Sequence, residues 1–169
     1  CDEATSALDP RVGKSILALL EEINRRLGIT IVMVTHQMPV IRRCCSLVAV
    51  LEEGRVADFG AAREVFFRRA PALRRLMGEE EYPLPETGRN LRVRLDRPLA
   101  QSAFVTRMAR ELDIDFTLLE GEAQQYQGEE LMQLTLNVAE ADWEKTARYL
   151  EERRVPFLLL ERGEDMGDV

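Results

Sequence analysis

The stretch Ile29-Thr30-Ile31-Val32-Met33-Val34-Thr35 restricts most what this chain can fold into. All but Met33 are β-branched, and none carries a charge. Branching at Cβ stiffens χ1 and favours a pleated strand over a helix. A near-continuous run of this kind leaves no polar side, so it predicts a strand covered on both faces within a parallel sheet. The flanks fit that reading. Asp9 can cap a helix that Pro10 begins, and Val12, Ile16, Leu19, Leu20, Ile23 and Leu27 recur on one helical face before Gly28 stops it. After the run come a short helix over Pro39–Cys45, an apolar strand over Ser46–Leu51, a turn at Glu53-Gly54 and a return strand over Arg55–Phe59. Residues 61–77 read as helical, with Val65, Phe66, Leu73 and Leu76 as buried candidates. Helix and strand in alternation are the end of an α/β domain, placed at residues 1–77.

Residues 78–90 read as a linker, charged, aperiodic and interrupted by Pro83 and Pro85. Beyond it the pattern changes. Leu91, Val93 and Leu95 alternate as a strand, and Ala100–Leu112 forms an amphipathic helix with Val105, Met108, Ala109 and Leu112 on one face. Ile114–Leu119 is a strand, Gly121–Glu130 a polar connection, and Met132, Leu134, Leu136 and Val138 alternate as a third strand. Ala141–Arg153 is a helix with Trp143, Ala147 and Leu150 inward, and Val155–Glu161 the last strand. The order β-α-β-β-α-β predicts an α+β ferredoxin-like domain over residues 91–161, followed by a tail at 162–169.

Charge and cysteines narrow the function. Of 169 residues, 23 are Lys or Arg and 30 Asp or Glu, a net charge of −7. Residues 1–88 carry 12 basic and 13 acidic side chains, and residues 89–169 carry 11 and 17, so the acidic excess lies in the second half. Neither half looks like a reader of a phosphate backbone, and no nucleic-acid partner is expected. Cys1, Cys44 and Cys45 have no CxxC spacing, which fits reduced thiols in a reducing compartment and helix packing for the adjacent pair. His36 is the one histidine, so a His-rich metal site is excluded.

The opening Cys1-Asp2-Glu3-Ala4-Thr5-Ser6-Ala7-Leu8-Asp9 carries the most chemistry. An Asp-Glu pair at the end of a strand can hold Mg²⁺ against nucleotide phosphates and orient or deprotonate the attacking water. The whole string resembles the nucleotide-binding subunit of ABC transporters. Asp2 and Glu3 match the end of the Walker B motif, Ser6-Ala7-Leu8-Asp9 the D-loop, and Thr35-His36 the switch histidine. The resemblance implies ATP and Mg²⁺ as cofactors, with Asp2 toward the metal, Glu3 and His36 in hydrolysis, and Ser6 and Asp9 near the nucleotide. Gly13-Lys14-Ser15 only looks like the end of a phosphate loop. Leu8 stands where its first Gly belongs, and the amides there are already committed to a helix. The chain opens on Cys rather than Met, and the family's Walker A, Q-loop and signature motifs precede Walker B. The expectation is therefore a piece of a longer protein with no ATPase activity by itself, aggregation-prone along the exposed edge of its incomplete parallel sheet.

An ABC ATPase followed by a ferredoxin-like domain resembles the ATPase subunit of bacterial methionine importers, whose C-terminal NIL domain is ACT-like. The resemblance covers residue 1 to about 161. It implies a homodimer through both domains, permease subunits in the membrane, and a substrate-binding protein reached indirectly. It places the subunit peripherally on the cytoplasmic face of the inner membrane, with methionine as a regulatory ligand that holds the ATPase domains apart. Anchored on Gly121, the family's Asn-Ile-Leu corresponds to Thr117-Leu118-Leu119. Thr offers one hydroxyl on a shorter arm where Asn offers a donor and an acceptor. Ligand contact and ordinary sheet packing both stay open for these three residues, as does a ligand-free dimerisation role for the domain.

Overall fold

The computed structural model of the chain describes residues 9–79 and 83–160. It forms two compact units, Cys1–Glu80 with Tyr126–Gly128, and Glu81–Gln125 with Glu129–Val169.

In the first unit, helix α1 spans Pro10–Leu27 and starts and stops where the sequence says. The Arg11 amide donates to Asp9 Oδ1 at 2.8 Å. Gly28 closes the helix at φ 62, with its amide on the Asn24 carbonyl at 2.9 Å. The Gly13 amide donates to the Asp9 carbonyl at 2.9 Å, so the Gly13-Lys14-Ser15 amides belong to the helix and not to a phosphate cradle. Of the apolar face expected for α1, Val12, Leu19 and Leu27 are exposed, and the side chain that is buried is Leu17, which that face did not include.

The run Ile29–Thr35 departs from expectation. It is extended, but within it only Val34 sits in a β-bridge. Burial alternates along it: Ile31, Met33 and Thr35 are half-buried, and Thr30, Val32, Val34 and His36 face out. One side is covered and the other is open, with Val32 73% exposed. A parallel strand needs neighbours on both edges and layers on both faces, and the described residues supply no such sheet.

Helix α2 is Met38–Cys44 and buries Val40 and Ile41. Strands β1, Leu47–Glu52, and β2, Arg55–Ala61, pair antiparallel with a register shift between Val50 and Leu51. Their two-residue turn, Glu53 at φ 48 and Gly54 at φ 75, has the paired positive φ that suits the right-handed strand twist. The predicted helix over 61–77 is two helices, α3 at Ala62–Arg68 and α4 at Pro71–Met77. Arg69 turns left-handed at φ 48, and Pro71, with no amide hydrogen, opens the second helix. Val65, Phe66 and Leu73 are buried as expected; Leu76 is not, being 49% exposed.

The second unit runs β3 (Arg89–Asp96), α5 (Arg97–Gln101), α6 (Phe104–Leu112), β4 (Phe116–Tyr126), β5 (Glu129–Val138), α7 (Trp143–Glu152) and β6 (Phe157–Leu160). Its sheet has the order β4-β5-β3-β6, with β3 antiparallel to both β5 and β6. This is the ferredoxin-like βαββαβ arrangement. Leu91, Val93 and Leu95 of β3 and Leu134, Leu136 and Val138 of β5 meet Phe104, Met108, Tyr149 and Leu150 in one core. Two expectations need correction. The helix over Ala100–Leu112 is broken at Ala103, whose φ of 54 re-aims the chain between α5 and α6. The polar connection Gly121–Glu130 is instead strand on both sides of a two-residue turn, Gln127 at φ 50 and Gly128 at φ 88. The tail lies outside the described residues.

Candidate functional site

Asp2, Glu3 and Ser6 lie outside the described residues. Asp9 and His36 are described. Asp9 is exposed, and its side chain caps α1. His36 is exposed where the extended run ends. There the Gln37 amide donates to Thr35 Oγ1 at 3.0 Å. The Gln37 carbonyl accepts from the Val40 and Ile41 amides at 3.0 and 3.2 Å. That local turn fixes the corner between strand-like backbone and α2, and it holds the His36 backbone at an element's end, where side chains can reach a ligand. Among the described residues no group of three or more His, Cys, Asp or Glu could hold a metal ion.

Cys44 and Cys45 are free thiols at the end of α2, both half-buried. Burial pushes the Cys44 thiol up to about 12, assisted by its hydrogen bond to Glu21 and that carboxylate's charge. Burial also raises Cys45. Such thiols stay protonated and unreactive at neutral pH. The folded state holds the Cys44 proton more tightly than the unfolded chain, whose thiol titrates near 9.0. The resulting stability is present below that value and lost as pH rises toward about 12. Thermal melts taken as pH is raised from 9.0 toward about 12 should show the melting point of the first unit falling, and Cys44→Ala should flatten the fall.

In the second unit Thr117 and Leu118 are exposed on β4, an edge strand, and Leu119 is half-buried. Leu118 is 57% exposed. Gly121 matters for packing, since a Cβ there would lie 3.2 Å from Leu134 Cδ2. Residues 89–157 match the family of NIL domains.

The second unit matches the NIL domain family.

Across both units the chain is similar to known methionine import ATP-binding proteins. It is 44% identical over 155 residues to Methionine import ATP-binding protein MetN of Clostridioides difficile, covering 92% of this chain and 48% of that protein. The protein of the same name from Wolinella succinogenes is 40% identical over 159 residues, covering 94% of this chain and 52% of that one. The chain thus spans about half the length of the curated relatives it matches. A solved C-terminal domain of an ABC transporter ATP-binding protein from Enterococcus faecalis aligns with 47% of this chain and 88% of itself. It does so at 16% identity and a TM-score of 0.37, below the level that marks a common fold.

Two features of the NIL domain were not singled out in the sequence. The first is the sheet face turned away from the helices. With Leu91, Val93 and Leu95 in the core, the alternate residues Asn90, Arg92 and Arg94 point the other way, as do Gln133, Thr135 and Asn137 of β5. Arg92 pairs across the ladder with Thr135, and Arg94 with Gln133. Thr135 Oγ1 donates to Glu120 Oε2 at 3.3 Å. Gln133 is 4% exposed, and both atoms of its amide are buried with no hydrogen-bond partner. The period-two spacing of these polar residues was readable; their burial was not.

The second is the segment before β3. Asn90 Nδ2 donates to the Pro85 carbonyl at 3.1 Å, and Asn137 Nδ2 to the Thr87 carbonyl at 2.9 Å and to Asn90 Oδ1 at 2.9 Å. Gly88 then passes so close to β5 that a Cβ would lie 2.3 Å from the Val138 carbonyl oxygen. Residues 85–88 are strapped to the sheet rather than left as free tether.

Proposed function

We propose that this chain is the C-terminal part of the ATP-binding subunit of an ABC importer that takes up methionine, and that its NIL domain senses methionine and restrains hydrolysis when occupied. The observation that carries this reading is the 44% identity over 92% of the chain with a methionine import ATP-binding protein. Asp2 is the oxygen ligand suited to Mg²⁺, a hard cation. When bound, Mg²⁺ and ATP supply the phosphoryl group and the charge neutralisation its transfer needs. Glu3 orients and deprotonates the attacking water, His36 meets the terminal phosphate from its exposed corner, and Ser6 and Asp9 line the nucleotide. The partners are a second copy of the subunit, met through both domains, and permease subunits, with a substrate-binding protein reached through them. No helix among the described residues is long and apolar enough to cross a membrane. The subunit sits peripherally on the cytoplasmic face of the inner membrane.

Inhibition by the transported amino acid requires only that the ligand bind more tightly when the ATPase domains are apart than when they are closed. The test is ATP hydrolysis by the full-length subunit with its permease in lipid. Added methionine should lower the rate and an equal concentration of alanine should not, while the 169-residue chain alone should hydrolyse nothing. An unchanged rate at saturating methionine would sink the sensing role. The exposed Leu118 on the β4 edge favours a second reading, in which the NIL domain only pairs with its twin. A calorimetric titration of the chain with methionine separates the two, because a pure pairing module gives no heat of binding.

A further inference from the structure

We propose that residues 80–84 are a short tether, held at both ends, whose length lets the NIL domain restrain ATP hydrolysis; this rests on the sensing role proposed above. The sequence marks residues 78–90 as a linker, but much of that stretch is tied down. On the side of the first unit, the Gly78 amide donates to the Arg75 carbonyl and the Glu79 amide to the Arg74 carbonyl, both at 3.1 Å. These bonds close α4 rather than release the chain. Arg75 then grips β1 with both arms of its guanidinium, Nε on Glu52 Oε1 and Nη2 on Glu52 Oε2, each at 2.8 Å. Two parallel bonds between planar groups fix an orientation as well as a distance. On the other side, the Asn90 and Asn137 amides hold the Pro85 and Thr87 carbonyls.

Residues 80–84 lie between the two anchors, with no Gly or Ser among them. An extended chain advances at most about 3.5 Å per residue, so from Glu79 to Pro85 the tether reaches no further than about 20 Å. A ligand shifts an equilibrium only by as much as its affinity differs between the two states. Methionine on the NIL domain can therefore act on the ATPase domains only where their closing is felt at its own site. A slack connection would let the ATPase domains meet while the NIL domain kept one arrangement, and methionine would have nothing to choose between. A tether with little length to give makes the two change together. The coupling is thus set by tether length and anchoring, not by the side chains along it.

The test uses the full-length subunit with its permease in lipid. Methionine should slow hydrolysis by the native subunit at least about fivefold, the low end of coupling between two sites. With ten Gly and Ser residues inserted between Glu81 and Tyr82, methionine should no longer slow it. Hydrolysis without methionine, and methionine affinity by calorimetry, should stay native in that variant. Glu80→Gln with Glu81→Gln alters the tether's charge but not its length, and should be inhibited to the native depth. Arg75→Gln frees the anchored end at unchanged length and should weaken inhibition. Full inhibition of the insertion variant would overturn the proposal, as would loss of inhibition in the double Gln variant. Should the insertion variant fail to bind methionine, Arg75→Gln decides in its place, and undiminished inhibition there overturns the tether. Absence of inhibition in the native subunit removes the sensing role itself, and this proposal with it.

Discussion

Gly88→Ala is expected to lower the melting temperature of the NIL domain by about 15 °C, from a loss of ~3 kcal/mol in a domain of this size. Two costs add. Gly88 has φ +75, a conformation that costs an L-residue about 1–2 kcal/mol. The new Cβ would also lie 2.3 Å from the Val138 oxygen and 3.2 Å from its carbonyl carbon. Val138 is fully buried and pairs with Arg89 in the β3–β5 ladder, so relief requires prying the strap or the strand from the core. Gly128, in the turn between β4 and β5, provides the control, with φ +88 and nothing within 4 Å of its built Cβ. Gly128→Ala should cost about 1 kcal/mol from conformation alone. The chain has one Trp, Trp143, packed edge-on to Phe157 in the NIL domain, so its fluorescence reports this domain's melting. Equal shifts for the two variants would show that the strap does not constrain the domain.

Glu3→Gln, made in the full-length subunit, should reduce ATP hydrolysis at least 100-fold while ATP binding persists, within the range of about 10²–10⁴ for loss of a general base. Gln keeps the shape and one acceptor but cannot take a proton. The measurement is single-turnover hydrolysis beside equilibrium binding of labelled ATP. A near-native rate would remove Glu3 from the chemistry. Lys14→Ala in the same background should change neither quantity, because Lys14 sits inside α1, past its cap.

What could be read from the sequence follows from where each signal was stored. The first helix was legible at both ends because Asp9, Pro10 and Gly28 act locally. The β3 and β5 strands were legible because Leu91, Val93 and Leu95, like Leu134, Leu136 and Val138, alternate against a core that this chain itself supplies. Ile29–Thr35 misled for the opposite reason. Its composition describes a strand covered on both faces, whereas Val32 and Val34 face out among the residues described. The second half of β4 was hidden because Gly121, Gln124 and Gln125 resemble a loop by composition, although edge strands tolerate polar residues. The helix breaks divide similarly. Pro71 carries a signal for one of them that the reading of 61–77 as helical did not use, while the left-handed Ala103 has no signal of its own. Of the candidate site, His36 and Asp9 were named by motif, and both stand at element ends. The strap at residues 85–88 could not be found that way, because the bonds from the Asn90 and Asn137 amides to its carbonyls are a property of packing and not of spacing.

The strap ahead of β3 also bears on how this domain can be moved between proteins. A graft that begins at Arg89, where the family match begins, leaves behind the Pro85 and Thr87 carbonyls, so the Asn90 amide loses its acceptor and the Asn137 amide keeps only Asn90 Oδ1. The freed donors would then have to turn to water at the end of the central ladder. The transferable module therefore reaches back at least to Pro85, and any fusion or gene rearrangement that joins it to a new neighbour must carry that short leader along. Part of what looks like spacer is thus inherited with the domain, and natural or engineered hybrids spliced inside it should express poorly.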